Sequence, residues 1–241
     1  MKKVLFSLSA VALIAFTSCE KKEAVAVSDS EEVATATEEA VNYTVDTDVS
    51  NVEWRGYKIY EGETEEQGHH GTIKLTSGDI QTEGNQIIAG NFVIDATTLE
   101  SMDLVDSPED KANLENHLKS ADFLDVETYP SPTFNITKVT PIEGEYNTEI
   151  SGNLKMREVE KNITFKANTG VDGEVLKIAS EEFTINRQDF GITFNPTTGS
   201  VIKDNVTLSV NVTANQNAVV EVTDGATTEE VVDELQEEAA H

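Results

Sequence analysis

The sequence predicts an all-β domain, an antiparallel sheet closed into a barrel, with one short helix. Three observations carry this expectation. Apolar and polar residues alternate with a period of two through the middle of the chain, turn signals separate the alternating runs, and a single helix start breaks the rhythm. Alternation gives each strand one wet and one dry face, and short connections favour antiparallel neighbours around a shared core. Closing such a sheet leaves no unpaired edge.

The clearest run is 206–213, where Val206, Leu208, Val210 and Val212 alternate with Thr207, Ser209, Asn211 and Thr213. In 146–156, Tyr146, Ile150, Leu154 and Met156 share a face opposite Asn147, Glu149, Ser151, Asn153 and Lys155. Val159, Ile163, Phe165 and Ala167 alternate with Glu160, Asn162, Thr164 and Lys166, and Phe134 and Ile136 with Thr133, Asn135 and Thr137. Between Ile178 and Phe183 the apolar phase slips by one residue, the mark of a β-bulge or strand bend. Turns are expected at Ser77-Gly78-Asp79, Glu83-Gly84-Asn85, Glu143-Gly144, Asp172-Gly173 and Asn195-Pro196. The helix opens at Ser107-Pro108-Glu109-Asp110, with Ser at the N-cap, Pro in the first turn and acids near the positive end of the dipole. It runs past Leu114 and Leu118 to about Ser120, and Tyr129-Pro130 then enforces extended chain.

The first residues read as an export signal over 1–18: Lys2 and Lys3, an apolar run over 4–16, then small residues before Cys19. The run is shorter than the about 20 residues a membrane-spanning helix needs. Phe16-Thr17-Ser18-Cys19 resembles the lipobox of bacterial lipoproteins, with Phe16 standing where Leu is usual. That resemblance implies lipidation of Cys19; because Cys19 is the chain's one cysteine and can form no internal disulfide, a free thiol is the alternative. Residues 19–42 are expected to be an acidic, mobile tether, 43–215 the folded domain, and 216–241 an acidic disordered tail. A formal charge of −28 argues against nucleic acid as a partner and against adhesion to anionic lipid surfaces.

Nothing in the chain spells out catalysis. No phosphate-cradling Gly-rich loop, HExxH, GxSxG or CxxC occurs, and no spacing among the 45 acidic residues singles out an acid–base pair. His69 and His70 are adjacent and point to opposite faces of a strand, His117 lies in the helix and His241 at the end, so no metal site is expected. Five Asn-X-Thr triplets begin at Asn42, Asn135, Asn162, Asn205 and Asn211; four fall in strands, where Asn and Thr are expected simply to face water. The informative feature is the apolar interior. A barrel of about eight strands either fills with its own side chains or holds one ligand. No charge sits on the inward faces to demand a partner, so any guest is expected to be long and apolar.

Leu114-Glu115-Asn116-His117-Leu118-Lys119-Ser120-Ala121-Asp122-Phe123-Leu124-Asp125, followed by Tyr129-Pro130 and Thr133-Phe134, resembles the central signature of the YceI-like family. Gly90-Asn91-Phe92-Val93-Ile94-Asp95 with Leu99-Glu100-Ser101, Gly152-Asn153-Leu154-Lys155-Met156-Arg157 and Asn186-Arg187-Gln188-Asp189-Phe190-Gly191-Ile192 agree in order, and the closing strand over 201–214 fits. Leu124 stands where a second Phe is common, and Glu158 where Gly often follows the Arg, so a different loop is expected there. The resemblance spans about 43–215. It implies an eight-stranded lipocalin-like barrel whose lumen accommodates an isoprenoid chain, with the helix near one end. The implied ligand is an isoprenoid or similar amphiphile, such as a quinone or polyprenyl carrier, with no other cofactor required. The implied setting is the cell envelope, on the periplasmic or outer-membrane side, with the bilayer as partner through Cys19. Candidate lining residues are Trp54, Phe92, Phe134, Ile136, Ile150, Leu154, Phe165, Phe183 and Phe190, each with the alternative of closing the core.

Overall fold

In the computed structural model, which describes residues 23–218, the strands form one antiparallel sheet closed on itself. In chain order they are β1 (Val41–Val45), β2 (Asn51–Tyr60), β3 (Gln67–Glu83), β4 (Gln86–Ser101), β5 (Thr133–Pro141), β6 (Thr148–Met156), β7 (Val159–Asp172), β8 (Val175–Ser180), β9 (Phe183–Asn186), β10 (Ser200–Ile202) and β11 (Asn205–Gln216). The helix α1 (Pro108–Lys119) lies between β4 and β5, and a 3₁₀ turn (Arg187–Phe190) follows β9. Eight positions make up the ring: β2 to β7, then β8 continued by β9, then β11, which pairs with β2 to close it. The short β1 and β10 extend this ring at opposite ends of β2, β1 pairing with β3 and β11 and β10 with the last residues of β2. The expected all-β barrel with one short helix is the fold observed.

Local chemistry explains most of the elements. Glu83 faces Gln86 across a two-residue turn in which Gly84 and Asn85 both have positive φ, the geometry that suits the twist of a hairpin. The phase slip after Ile178 is a bulge. Four steps from Ala179 to Phe183 face three from Leu208 to Asn211, and Ser180 Oγ accepts the hydrogen bond of Val210 N–H that the ladder leaves over. Ser107 occupies the N-cap of α1, but its side chain makes no capping hydrogen bond, and the first turn is held instead by Lys111 N–H donating to the Ser107 carbonyl. Pro130 and Pro132 lie extended along β4, their carbonyls accepting from Ala96 and Ile94. The strand expected over 201–214 is interrupted at Lys203-Asp204. Tyr146 precedes β6 rather than sharing its inner face. At the loop where Glu158 departs from the family pattern, β6 and β7 are joined by Arg157-Glu158 alone. Arg157 takes a left-handed φ of 54°, and Glu158 accepts a hydrogen bond from the Tyr129 hydroxyl.

The largest departure concerns the segment expected to be a mobile tether. Residues 23–40 lie along the barrel wall as a strap. The wall has two places where neighbouring strands do not pair: β4 and β5 share a ladder only over 91–93 and 133–135, and β9 pairs with β11 but not with β7. The strap bonds to both. Val25 N–H donates to the Thr184 carbonyl in β9, Ser28 and Asn162 of β7 exchange two backbone hydrogen bonds, and Ala34 N–H donates to the Ile136 carbonyl in β5. Between these, Glu31 N–H donates to Asn153 Oδ1 at 3.0 Å and Asn153 Nδ2 donates to the Glu31 carbonyl at 2.7 Å. Val25 and Val27 pack against the core. Asn153 and Asn162, expected to face water, are therefore buried, and Asn162 Nδ2 also donates to Asn153 Oδ1. The export signal, Cys19 and the tail from 219 lie outside the described residues.

Candidate functional site

Inward-facing side chains of the ring enclose two adjoining cavities, of about 250 and 120 Å³. Ile73, Leu124, Met156 and Leu208 line both, so the two form one lumen. Its size is at the lower end of small-ligand sites, which run from roughly 300 to 1,000 Å³.

The lower cavity is wholly apolar in its lining. Phe92, Phe134, Phe165 and Phe183 form a ladder along it, with successive ring centroids 6.3, 5.6 and 4.6 Å apart, the last pair stacked. Ile136, Ile150 and Leu154 complete this wall. The ladder needs Gly152, because a Cβ there would come within 2.3 Å of the Phe134 ring. Trp54 lines the upper cavity beside Gly71, where a Cβ would meet the Glu100 carbonyl at 1.8 Å and the indole at 2.8 Å. Eight of the nine candidate residues thus line the lumen. Phe190 does not: it is fully buried in the 3₁₀ turn and lines neither cavity, because the turn carries it out of the inward-facing register of β9.

The upper cavity differs in chemistry. Leu114, His117 and Leu118 of α1 form part of its wall, with His117 set edge-on to both Phe123 and Phe194 at about 5 Å. Polar contacts also tie the helix to the barrel: Lys111 to Glu100 at 2.6 Å, and Glu115 Oε1 accepting from Ser101 N–H at 2.9 Å. Lys58, His69, His117, Arg187 and Lys203 line this cavity, and no carboxylate does so among the described residues, in a chain with 45 acids. The acids that balance them stand behind: Asp103 at 2.8 Å from His69 Nδ1, Glu66 at 3.3 Å from Lys203, and Asp204 at 2.9 Å from Arg187. Lys58 instead lies over the Tyr60 ring, 4.6 Å from its centroid.

Arg187 corrects the expectation that no charge is buried on the inward side. It is 2 % exposed, and it donates from Nη1 to the Ile192 carbonyl, from Nε to the Lys203 carbonyl and from Nη2 to Asp204. Burial pulls its guanidinium below the ordinary arginine value, and Asp204 partly restores it. Two polar atoms are buried without partners among the described residues, Asn51 Oδ1 and Trp54 Nε1. Trp54 borders the upper cavity with its ring, but its Nε1 is closed off within the wall, with no room beside it for an acceptor. No group of three His, Cys, Asp or Glu side chains suited to a metal occurs among the described residues.

Sequence reasoning missed the mouth of this site. Lys58, His69, Arg187 and Lys203 converge from β2, β3, the 3₁₀ turn and the β10–β11 connection, and no spacing links them. Val206 and Leu208 also line the upper cavity. Their alternation was visible, but alternation alone does not say which dry positions border empty space.

Comparison with known proteins agrees with this architecture. Residues 43–214 match the model of the YceI-like domain. A UPF0312 protein of Pseudomonas putida (strain GB-1) is 31% identical over 128 residues, 51% of this chain and 63% of the relative. A UPF0312 protein of Vibrio campbellii is 32% identical over 99 residues, 40% of this chain and 48% of the relative. The aligned part therefore spans half to three-fifths of those relatives' length. Among solved structures, BcnA of Burkholderia cenocepacia superposes with a TM-score of 0.55 at 18% identity, covering 71% of this chain and 99% of BcnA. A polyisoprenoid binding domain from Saccharophagus degradans superposes with a TM-score of 0.50 at 11% identity, over 73% of this chain and 99% of that one. At those identities the likeness is one of fold. The ring of strands around an apolar lumen, and the match that runs along it from 43 to 214, make this chain a member of the YceI-like family.

Proposed function

We propose that this protein binds an isoprenoid, or another long apolar amphiphile such as a quinone or polyprenyl carrier, in its lumen, and works in the cell envelope held to a membrane by lipid on Cys19. The observation that carries the ligand reading is the lining of the lumen: an apolar lower cavity walled by the phenylalanine ladder opens into an upper cavity that is also mostly apolar but has Lys58, Arg187 and Lys203 in its wall. An amphiphile, a long apolar chain with a polar head, suits that lining. Each buried CH₂ contributes about 0.8 kcal/mol, and an oxygen-bearing head would lie beside the basic side chains of the upper cavity. The Saccharophagus domain of like fold, described as polyisoprenoid binding, supports the reading. The lipobox-like sequence before Cys19 supports the anchor.

Mass spectrometry of an organic extract from gently purified protein tests the ligand, and a prenyl-chain species is expected. Preparations that are repeatedly empty, and that also fail to take up fluorescent isoprenoid probes, overturn it. They would favour the competing reading, a lipoprotein that meets a protein partner and carries no ligand.

A further inference from the structure

The strap decides how far the barrel can stand from its anchor. Its first hydrogen bond to the wall joins Val25 to Thr184 in β9. Thr184 lies on the mouth side of the barrel: the next residue, Ile185, and Arg187 beyond it line the upper cavity, while Phe183 before it lines the lower one. Cys19 precedes Val25 by six residues. Whatever their disposition, they span at most about 20 Å.

That leash reaches one end of the barrel with slack and the other only at full stretch. Thr184 is level with Arg55 through Thr207, and from Arg55 to Tyr60 at the rim is five residues, roughly 17 Å of strand or about 13 Å along the axis. From Thr184 back to Val175, where β8 begins at the far end, is nine residues, roughly 30 Å of strand. With the 35–45° tilt usual in barrels, this is about 21–25 Å along the axis, at or beyond the full stretch of the leash. An undocked segment would impose no such choice, because the 22 residues from Cys19 to Val41 reach about 75 Å. The surface agrees with the leash. Among the described residues, Tyr60 at the tip of β2 and Val201 beside it in β10 are exposed at the mouth end, and Val105 is exposed in the connection from β4 to α1.

We propose that the mouth end, with Tyr60 and Val201 at its rim and Val105 in the adjoining connection, is the face that rests on the bilayer carrying the Cys19 anchor, and that the docked strap favours this orientation. A ligand could then pass between lumen and bilayer without crossing water. This rests on the anchor proposed above. The acidic connection 61–66 at the same end favours a zwitterionic surface over an anionic one.

The test uses the acylated full-length protein in phosphatidylcholine vesicles. Acylation consumes the Cys19 sulfur as a thioether, so one added cysteine is the sole thiol for an environment-sensitive fluorophore. Val105→Cys and Val201→Cys report the mouth, and Val49→Cys, 59 % exposed at the far end, serves as control. With lipids brominated near the headgroup, quenching at 105 and 201 is expected to be at least twofold, with none at 49. Inserting twelve Gly/Ser residues between Lys22 and Glu23 is expected to erase the difference. Equal quenching at both ends, an unchanged pattern after the insertion, or an unacylated Cys19 would each overturn the proposal. Uptake of isoprenoid probes by the detergent-solubilised protein is read separately, so loss of the ligand reading and loss of the orientation are told apart.

Discussion

Trp54 is the residue on which stability and binding are expected to pull apart. A buried donor left without a partner costs about 1–3 kcal/mol, and the Trp54 indole N–H is such a donor. Trp54→Phe is expected to leave the melting temperature of the ligand-free protein unchanged or higher, despite the lost volume. Because the indole N–H is closed off from the lumen, the same change is expected to weaken geranylgeraniol and squalene alike, by no more than roughly threefold, equivalent to about 0.7 kcal/mol. A larger loss confined to the alcohol would show that the indole turns to meet a head group. Asp103 sets an acid-sensitive contact at the same mouth. Burial pushes its carboxyl up, but hydrogen bonds from Ser101, His69 and the His70 N–H outweigh this and hold it below the usual carboxylate range. The folded value is thus lower than the unfolded one. The contribution is complete above the ordinary value of 3.8 and disappears as pH falls through the lower folded value. Asp103→Asn is expected to reduce urea stability at neutral pH and to make no difference at the acid end of the curve.

The strap is the element that only the folded chain makes visible. Asn153→Ala removes both of its hydrogen bonds to Glu31 and the acceptor used by Asn162. The variant is expected to lose about 1–3 kcal/mol in urea unfolding and to become sensitive to a glutamate-specific protease at Glu31-Glu32, where the parent is protected. Equal cleavage rates would mean that the strap is not held in solution. In the sequence the stretch looks like solvent-borne chain, since it is rich in Glu, Ala, Val, Ser and Thr and lacks aromatic residues, Gly and Pro. Its one signal is Ala24-Val25-Ala26-Val27, a short alternating pair, and those valines are the ones that pack on the core. The wall strands, by contrast, were legible because each must hide every second side chain. The bulge after Ile178 was legible for the same reason, as a slip in phase. The buried asparagines were not, because Asn on an outer face reads as wet unless a second layer is known to cover it.

For the whole molecule, the lumen acts as a ruler. Ala96 is fully buried and lines the lower cavity, so Ala96→Phe is expected to fill that space while leaving the upper cavity open. Chain-length selectivity is the measurement: a ten-carbon prenyl alcohol should keep its affinity and a twenty-carbon one should lose at least tenfold. A uniform loss across lengths would point to general disruption. Charge also acts at this scale. With −28 distributed over 241 residues, self-repulsion opposes the compact state. Raising ionic strength from about 10 mM to about 150 mM shortens the screening length from ~30 to ~8 Å and is expected to raise the melting temperature. A fall would show that the ion pairs at the mouth outweigh the repulsion.

The sequence by itself determined the sheet, its closure, the helix and the apolar character of the interior, because periodicity records which side of a strand meets water. It also marked most of the lower wall, since large inward aromatics are few. The tertiary structure decided the rest. Whether inward side chains meet in the middle is a matter of ring diameter and of small residues such as Gly152, and no single strand carries that information. The basic side chains of the mouth converge from distant segments, and the acids that meet His69, Arg187 and Lys203 lie outside the cavity lining. The strap's place on the wall depends on two seams that exist only once the ring has closed.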